Sequence, residues 1–431
     1  MKQSAKGVIY LLIILMGIPQ IMYAQQEKKK MINASFNIGR STGDSAQFTS
    51  VNLGLLTNIY QLKGVGINVV SSIVKNKVTG FQLAGISNIA GNNMTGLQIA
   101  GITNVDGNNA SGLTLSGLVN IIGQNTCGAV FTAGVNVIGS HADGLTFGGL
   151  LNTVAGQTNG LQLSGIANIT GETNSGVSLA GLLNVTGSNL FGVQVSSLLN
   201  VTGDQVCGIQ LSGLGNVGVN VKGLQIAGLG NFAAEDLRGI QISPLTNIAK
   251  QVKGAQIGIV NYSMGKVRGL QLGLVNYSKD SSRVKLGLVN INPETRTQLM
   301  VFGGNTTKVN LGVRFLNKIT YTMLGAGAQY LGLNEKFSLT TFYRAGLHFS
   351  PIKRLRLSGD LGFAHIECFK NKELADIPAR LYSLQARINL EYYPVERFGL
   401  FASGGFGHTR FYNRNKTFGN KPIIELGIIL F

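Results

Sequence analysis

Charge, proline and tryptophan are scarce in this sequence. Among 431 residues there are 7 Pro, 3 Cys and no Trp, and charged residues make up 13%, about half the usual share. So low a charge content excludes a disordered chain, which combines low hydrophobicity with many charges. The cysteines exclude a disulfide framework. Cys127 and Cys207 occupy one repeat position, roughly 24 Å apart if repeats stack at about 4.8 Å, and that is beyond the reach of a disulfide. Cys368 stands alone, and no Cys/His spacing suits a metal. Beyond the N-terminal segment, no apolar run reaches the roughly 18 residues of a membrane-spanning helix.

The positive charge is unevenly placed. The formal balance is +18, yet residues 78–221 contain no Lys or Arg, and only Asp106, Asp143, Glu172 and Asp204 are charged there. The basic excess begins at Lys222 and continues to Lys421. A nucleic-acid binder concentrates a basic stripe with aromatic platforms on one module. Here the basic residues sit in turns and at alternate strand positions, so no nucleic-acid partner is expected and lipid headgroups or acidic glycolipid are the expected neighbours.

Residues 1–24 read as a secretion signal: Lys2 and Lys6 precede an apolar run over 8–21, and Ala24 supplies a small residue for cleavage. No Cys follows, so no lipid-anchored N-terminus is expected. Residues 25–50 then read as a linker or cap.

What the sequence has in abundance is glycine, 60 residues of it, at a fixed period. Gly recurs at 80, 96, 112, 128, 144, 160, 176, 192 and 208, and Asn at 88, 104, 120, 136, 152, 168, 184, 200 and 216. The spacing then loosens through Asn231, Asn247, Asn261, Asn276 and Asn290. Fixed self-similarity of this kind is the signature of a stacked repeat, and it predicts a β-solenoid of sixteen-residue coils over residues 51–295. Within one unit, Leu97 and Ile99 share a strand face, and Gly101 is expected to turn the chain through a positive-φ corner that brings Ile102 back inward. Gly96, Gly101 and Gly107 suggest three corners. Stacking predicts Asn above Asn and Gln above Gln in amide ladders. A giant barrel with one membrane strand per repeat is disfavoured, because lipid-facing strands alternate without interruption and every unit breaks phase at its Gly101-type position. Ice binding needs a regular outward Thr array, whereas the series Gln82, Gln98, Thr114, Val130, Thr146 is irregular.

From residue 296 to 431 the pattern changes to longer alternating strands. Tyr382, Leu384, Ala386, Ile388, Leu390 and Tyr392 fall on one side, and Ser383, Gln385, Arg387, Asn389 and Glu391 on the other. Apolar-out, polar-in alternation is the signature of an outer-membrane-type β-barrel. Eight strands are predicted, at 298–304, 308–316, 319–331, 337–350, 353–369, 380–394, 398–413 and 422–431. Arg344 and His348 are placed on the polar side, and Arg387 and Glu391 are expected to pair. Glu425 interrupts the register of Ile423, Ile429 and Phe431. Short turns at 316–318, 351–352 and 395–397 face the periplasm by the usual asymmetry, and long loops at 370–379 and 414–421 face out. An even strand number starting on the periplasmic side puts the solenoid in the periplasm.

The units Gly254-Ala-Gln-Ile-Gly-Ile-Val-Asn261-Tyr and Gly269-Leu-Gln-Leu-Gly-Leu-Val-Asn276-Tyr resemble those of a bacterial surface-repeat family found in Bacteroidota and spirochaetes, over about residues 50–295. That resemblance implies surface exposure, which conflicts with the strand-parity argument, so both cell-surface and periplasmic positions stand. It implies no enzymatic activity.

Candidate chemistry is absent from the sequence. His141, His348, His365 and His408 belong to no motif that places a base beside a nucleophile. No phosphate-binding loop occurs, and the repeat turns lack the acidic positions of calcium-binding solenoids. No catalytic, cofactor-binding or metal-binding residue is singled out, and no cofactor is expected. The sequence thus describes an all-β, exported, non-enzymatic envelope protein. Its solenoid acts as an adhesion, structural or scaffolding surface anchored by the barrel, with outer-membrane lipid and surface or periplasmic macromolecules as partners. A transport-linked pore carrying a periplasmic solenoid spacer is the alternative.

Overall fold

The computed structural model describes residues 35–40, 48–279, 284–331, 333, 337–369, 380–412 and 417–430. The expected signal segment, residues 1–24, and the loop at 370–379 lie outside them. The described chain is all-β: a parallel β-solenoid of about 15 turns precedes a closed, eight-stranded antiparallel barrel. Backbone contacts divide it into two compact units, residues 1–243 and 244–431, so the second contains the last coils together with the barrel.

From Val78 to Gly218 each coil of the first unit has two strands, a seven- or eight-residue one such as Met94–Ala100 and a four-residue one such as Thr103–Asp106. Each pairs in register with its copy one coil on, Gly96 with Gly112 and Asn104 with Asn120. Strand Ser35–Arg40 pairs antiparallel with the first coil strand, Phe48–Ile59, at the position of the expected cap.

The coil is built inside out relative to the sequence expectation. Met94, Gln98, Ala100, Asn104 and Asp106 are buried, whereas Leu97 and Ile99 lie half-exposed and Ile102 faces solvent. The reason is the amide ladder. Nδ2 of Asn104 donates to Oδ1 of Asn120 at 3.0 Å and to the Leu115 carbonyl at 2.7 Å, and the same pair of bonds recurs at Asn120, Asn136, Asn152, Asn168, Asn184 and Asn200. A buried amide must find partners, and a column of identical amides supplies them without water. Gln210 likewise donates to Gln194 at 3.0 Å, and Gln225 to Gln210 at 2.8 Å. The irregular Gln/Thr/Ser column is therefore interior and not the outward array an ice-binding face requires.

The glycines also divide differently. Positive φ falls at the Gly96-type position, where Gly96 has φ 125°, and not at the Gly101 type. Gly101 is required by closeness instead, since a Cβ there would collide with the carbonyl oxygen of Gly85 in the preceding coil. Each coil turns at two corners, one after the long strand and one after the short strand.

In the second unit the barrel strands are Arg296–Gly304, Thr307–Leu316, Thr320–Tyr330, Ser338–Ile352, Leu355–Cys368, Arg380–Val395, Phe398–Phe411 and Thr417–Leu430. Each pairs antiparallel with the next, and Arg296–Gly304 closes the barrel against Thr417–Leu430. The last strand begins at Thr417 and not at 422, so the loop expected over 414–421 is shorter than its polar sequence suggested.

Candidate functional site

Two regions gather polar side chains in buried places: the lumen of the barrel and the interior of the solenoid.

Alternation along each barrel strand decides what enters the lumen. On Arg380–Val395, Ser383, Gln385, Arg387, Asn389 and Glu391 point in, while Leu384, Ile388 and Leu390 point out and are exposed. Exposed Leu311, Leu361, Phe406 and Leu426 extend the outward apolar surface around the other strands. Glu425 is in phase with buried Ile423 and Ile429, so it continues the inward register and does not interrupt it.

The inward charges form one network. Glu391 receives a bidentate bond from Arg314, at 2.6 and 2.9 Å, and is reached by Arg356 at 3.3 Å. Arg344 grips Glu425 through both guanidinium nitrogens, at 2.8 and 2.9 Å, and packs its charge over the rings of Phe302 and Phe342. Arg387 binds Asp360 at 3.1 Å and lies 3.5 Å from Glu425. Arg387 and Glu391 are both paired, each with partners on other strands, Arg387 with Asp360 and Glu391 with Arg314. Asn389, Tyr321, Tyr393 and Gln298 complete the hydrogen bonding. Interleaved with these charges, Met300, Phe302, Met323, Phe342, Phe401 and Ile429 form an apolar plug. The space left beside Arg314, Tyr321 and Glu391 is a cavity of about 10 Å³, enough for one water at most. Eight-stranded barrels are narrow enough to be filled by side chains, and this one is.

The last coil belongs to the same unit as the barrel and is hydrogen-bonded to it. Asn290 continues its ladder to the Thr322 hydroxyl at 3.3 Å, Asn292 reaches Asn317 at 3.1 Å, and the Tyr343 hydroxyl donates to the Gly287 carbonyl at 2.9 Å. His348 meets the Asn317 carbonyl in the same turn. This junction uses the short-turn end of the barrel. Nothing in the sequence marked it, because its partners are ordinary Asn, Thr and Tyr residues far apart in the chain.

Within the solenoid, Asp106 is the anomaly. It is 1% exposed, pairs in register with Ala90 and Ile122, and accepts one hydrogen bond, from Gln98 at 3.1 Å. Its Oδ2 and the Oε1 of Gln98 have no partner. Burial pushes the carboxyl up to about 7, against a partial opposing effect of the Gln98 bond.

The histidines do not converge. His141 sits in a repeat turn against Asn125, His365 contacts Tyr412 and Glu367, and His408 contacts Asn420. Among the described residues no three His, Cys, Asp or Glu side chains form a metal-binding cluster. Comparison with known proteins finds no family model, no curated protein and no solved structure that matches this chain.

Proposed function

We propose that this chain is a non-enzymatic protein of the bacterial outer membrane, exported by its N-terminal signal, in which the barrel anchors the solenoid as an adhesion, structural or scaffolding surface. The observation that carries the reading is the barrel itself. It presents apolar side chains outward and seals its lumen with an apolar plug and an Arg–carboxylate network, which suits an anchor better than a conduit. The resemblance of the Gly-Leu-Gln-Leu-Gly-Leu-Val-Asn units to bacterial surface repeats supports the same assignment. Purified full-length protein in a planar bilayer is expected to insert without conductance. Steady single-channel current would replace the anchor with the pore reading.

The side of the membrane follows from a second test. The eight strands put both barrel termini at the short-turn end, where the last coil is bound, and this favours a periplasmic solenoid. An epitope tag in the turn at 155–157, between strands Leu151–Val154 and Thr158–Ser164, is expected to resist protease on intact cells and to be cut once the outer membrane is opened. Cleavage on intact cells would put the repeats outside and give weight to adhesion.

A further inference from the structure

The first unit carries an unusual division of its outer surface. The corner after each long strand bears Ile86, Ile102, Leu118, Leu150, Ile166 and Leu182, each between 39% and 55% exposed. Backbone bonds stack these corners directly, from Ile102 N–H to the Ile86 carbonyl onward to Leu229. Only Gly134 interrupts the apolar column over this stretch. At about 4.8 Å per coil it is roughly 43 Å long. Both flat faces beside it are apolar too, with Leu97 and Ile99 on the long strand and Val105 on the short one, repeated coil by coil.

The corner after the short strand is the reverse. Asn76, Asn92 and Asn108 stack there through side-chain amides, at 2.8 and 2.9 Å. Apart from buried Asp106, the charged residues at positions 48–243 all fall on this corner or at the first outward position beside it, as Lys63, Asp143, Glu172, Asp204, Lys222 and Arg238 do. The apolar corner, the short-strand face and the part of the long-strand face next to that corner are thus uncharged and mainly apolar, and the rest of the surface is polar.

We infer that the solenoid of the first unit is a membrane-interface element whose apolar corner and flanking faces lie among the acyl chains of one leaflet, with the polar corner at headgroup level. A second copy of the chain packed on the corner would cover one side and leave two apolar faces in water, whereas lipid covers all three. The dimensions agree. From Leu97 to the corner at Ile102 is about 16 Å at about 3.3 Å per residue, close to half of a hydrocarbon core of about 30 Å. Segregation of charge to one side of an elongated element is the pattern of structures that lie in the interface rather than cross it. The inference rests on the membrane reading of the barrel, and the test separates the two.

The chain has no Trp, so one introduced Trp reports its own surroundings. Three single variants of the full-length protein serve: Leu118→Trp on the apolar corner, Asn108→Trp on the polar corner and Ile388→Trp on the outward face of the barrel. Each is reconstituted into phosphatidylcholine vesicles with bromine on the acyl chains. Leu118→Trp is expected to lose most of its emission relative to unbrominated vesicles, as Ile388→Trp does, while Asn108→Trp keeps its own. Leu150→Trp reports on the same column if Leu118→Trp does not fold. Quenching of Ile388→Trp without quenching at either column position overturns the inference and leaves the barrel anchor standing. Blue-shifted, unquenched column emission that depends on protein concentration also overturns it, in favour of a second copy. If Ile388→Trp is unquenched, the barrel reading fails, and the column variants then decide the inference on vesicles added from outside.

Discussion

Asp106 gives the sharpest quantitative expectation. A carboxyl titrating near 7 in the folded solenoid and near 3.8 in the unfolded chain keeps its proton on folding throughout the interval between those values. Stability falls with rising pH wherever the folded state holds more protons. The stability linked to this proton is therefore complete below pH 3.8 and lost by the time the pH has risen through about 7. At 1.36 kcal/mol per pH unit the interval corresponds to on the order of 4 kcal/mol. The substitution Asp106→Asn removes the titration and keeps the shape. It also supplies an N–H donor where the unpartnered Gln98 Oε1 has none.

Groups elsewhere, including those of the barrel, titrate in wild type and variant alike, so the quantity to measure is the difference between the two proteins. Urea unfolding of full-length protein, followed by amide exchange in the strands Met94–Ala100 and Thr103–Asp106, is expected to show equal stability near pH 4. Asp106→Asn is then expected to gain progressively up to pH 7 and to hold a constant advantage above it. Because coils couple mainly to their neighbours, the gain is expected in coils adjoining Asp106 and to fade along the stack. A difference that does not change between pH 4 and pH 8 would refute the assignment of a buried, protonated carboxyl.

Three further substitutions probe the remaining features. Asn136→Ala leaves the Nδ2 of Asn120 and the Phe147 carbonyl without their interior partner, so a loss of about 2 kcal/mol or more is expected by the same urea assay. Gly128→Ala puts a Cβ against the carbonyl of Gly112 at a residue with φ 128°; a loss of about 1–3 kcal/mol is expected, with local opening of the adjoining coils in hydrogen exchange. Glu391→Ala leaves buried Arg314 and half-buried Arg356 without their carboxylate. A loss of about 3–5 kcal/mol is expected, read as a lower temperature at which the barrel shifts from its folded to its unfolded position on an unheated-versus-heated gel.

Much of this architecture can be read from the residues. The sixteen-residue period places Asn104 over Asn120 before any coordinates exist, since an in-register stack follows from a fixed repeat. Alternation of Ser383 through Glu391 against Tyr382 through Tyr392 tells lumen from exterior, and strand 380–394 is found as Arg380–Val395. Less legible were ends and partners. Thr417 to Lys421 is polar and precedes a proline, so it resembles a loop, yet strand pairing continues through it. Glu391 binds Arg314 across 77 positions, a choice fixed by barrel closure and invisible in local sequence.

The direction of the solenoid coil is not legible in local sequence, for a physical reason. Period-two alternation separates Leu97 and Ile99 from Gln98 but does not say which set faces in. The ordinary preference buries the aliphatic side chains. Two facts oppose it here. A lone buried amide is costly, but an amide in an unbroken column meets its own copy above and below at 2.8–3.1 Å, so the repeat itself removes the penalty. The second is the scarcity of charge: with no Lys or Arg over 78–221, the outward positions had little but aliphatic residues to offer. Once the Asn and Gln columns take the interior, the Leu and Ile columns must go outside. The solenoid then shares the barrel's inversion of its outer surface, apolar without, over an interior where the amide columns stand beside buried apolar residues such as Ile122, Val130, Ile138 and Val154. Two successive domains of one chain that share this inversion are both suited to a surrounding less polar than water.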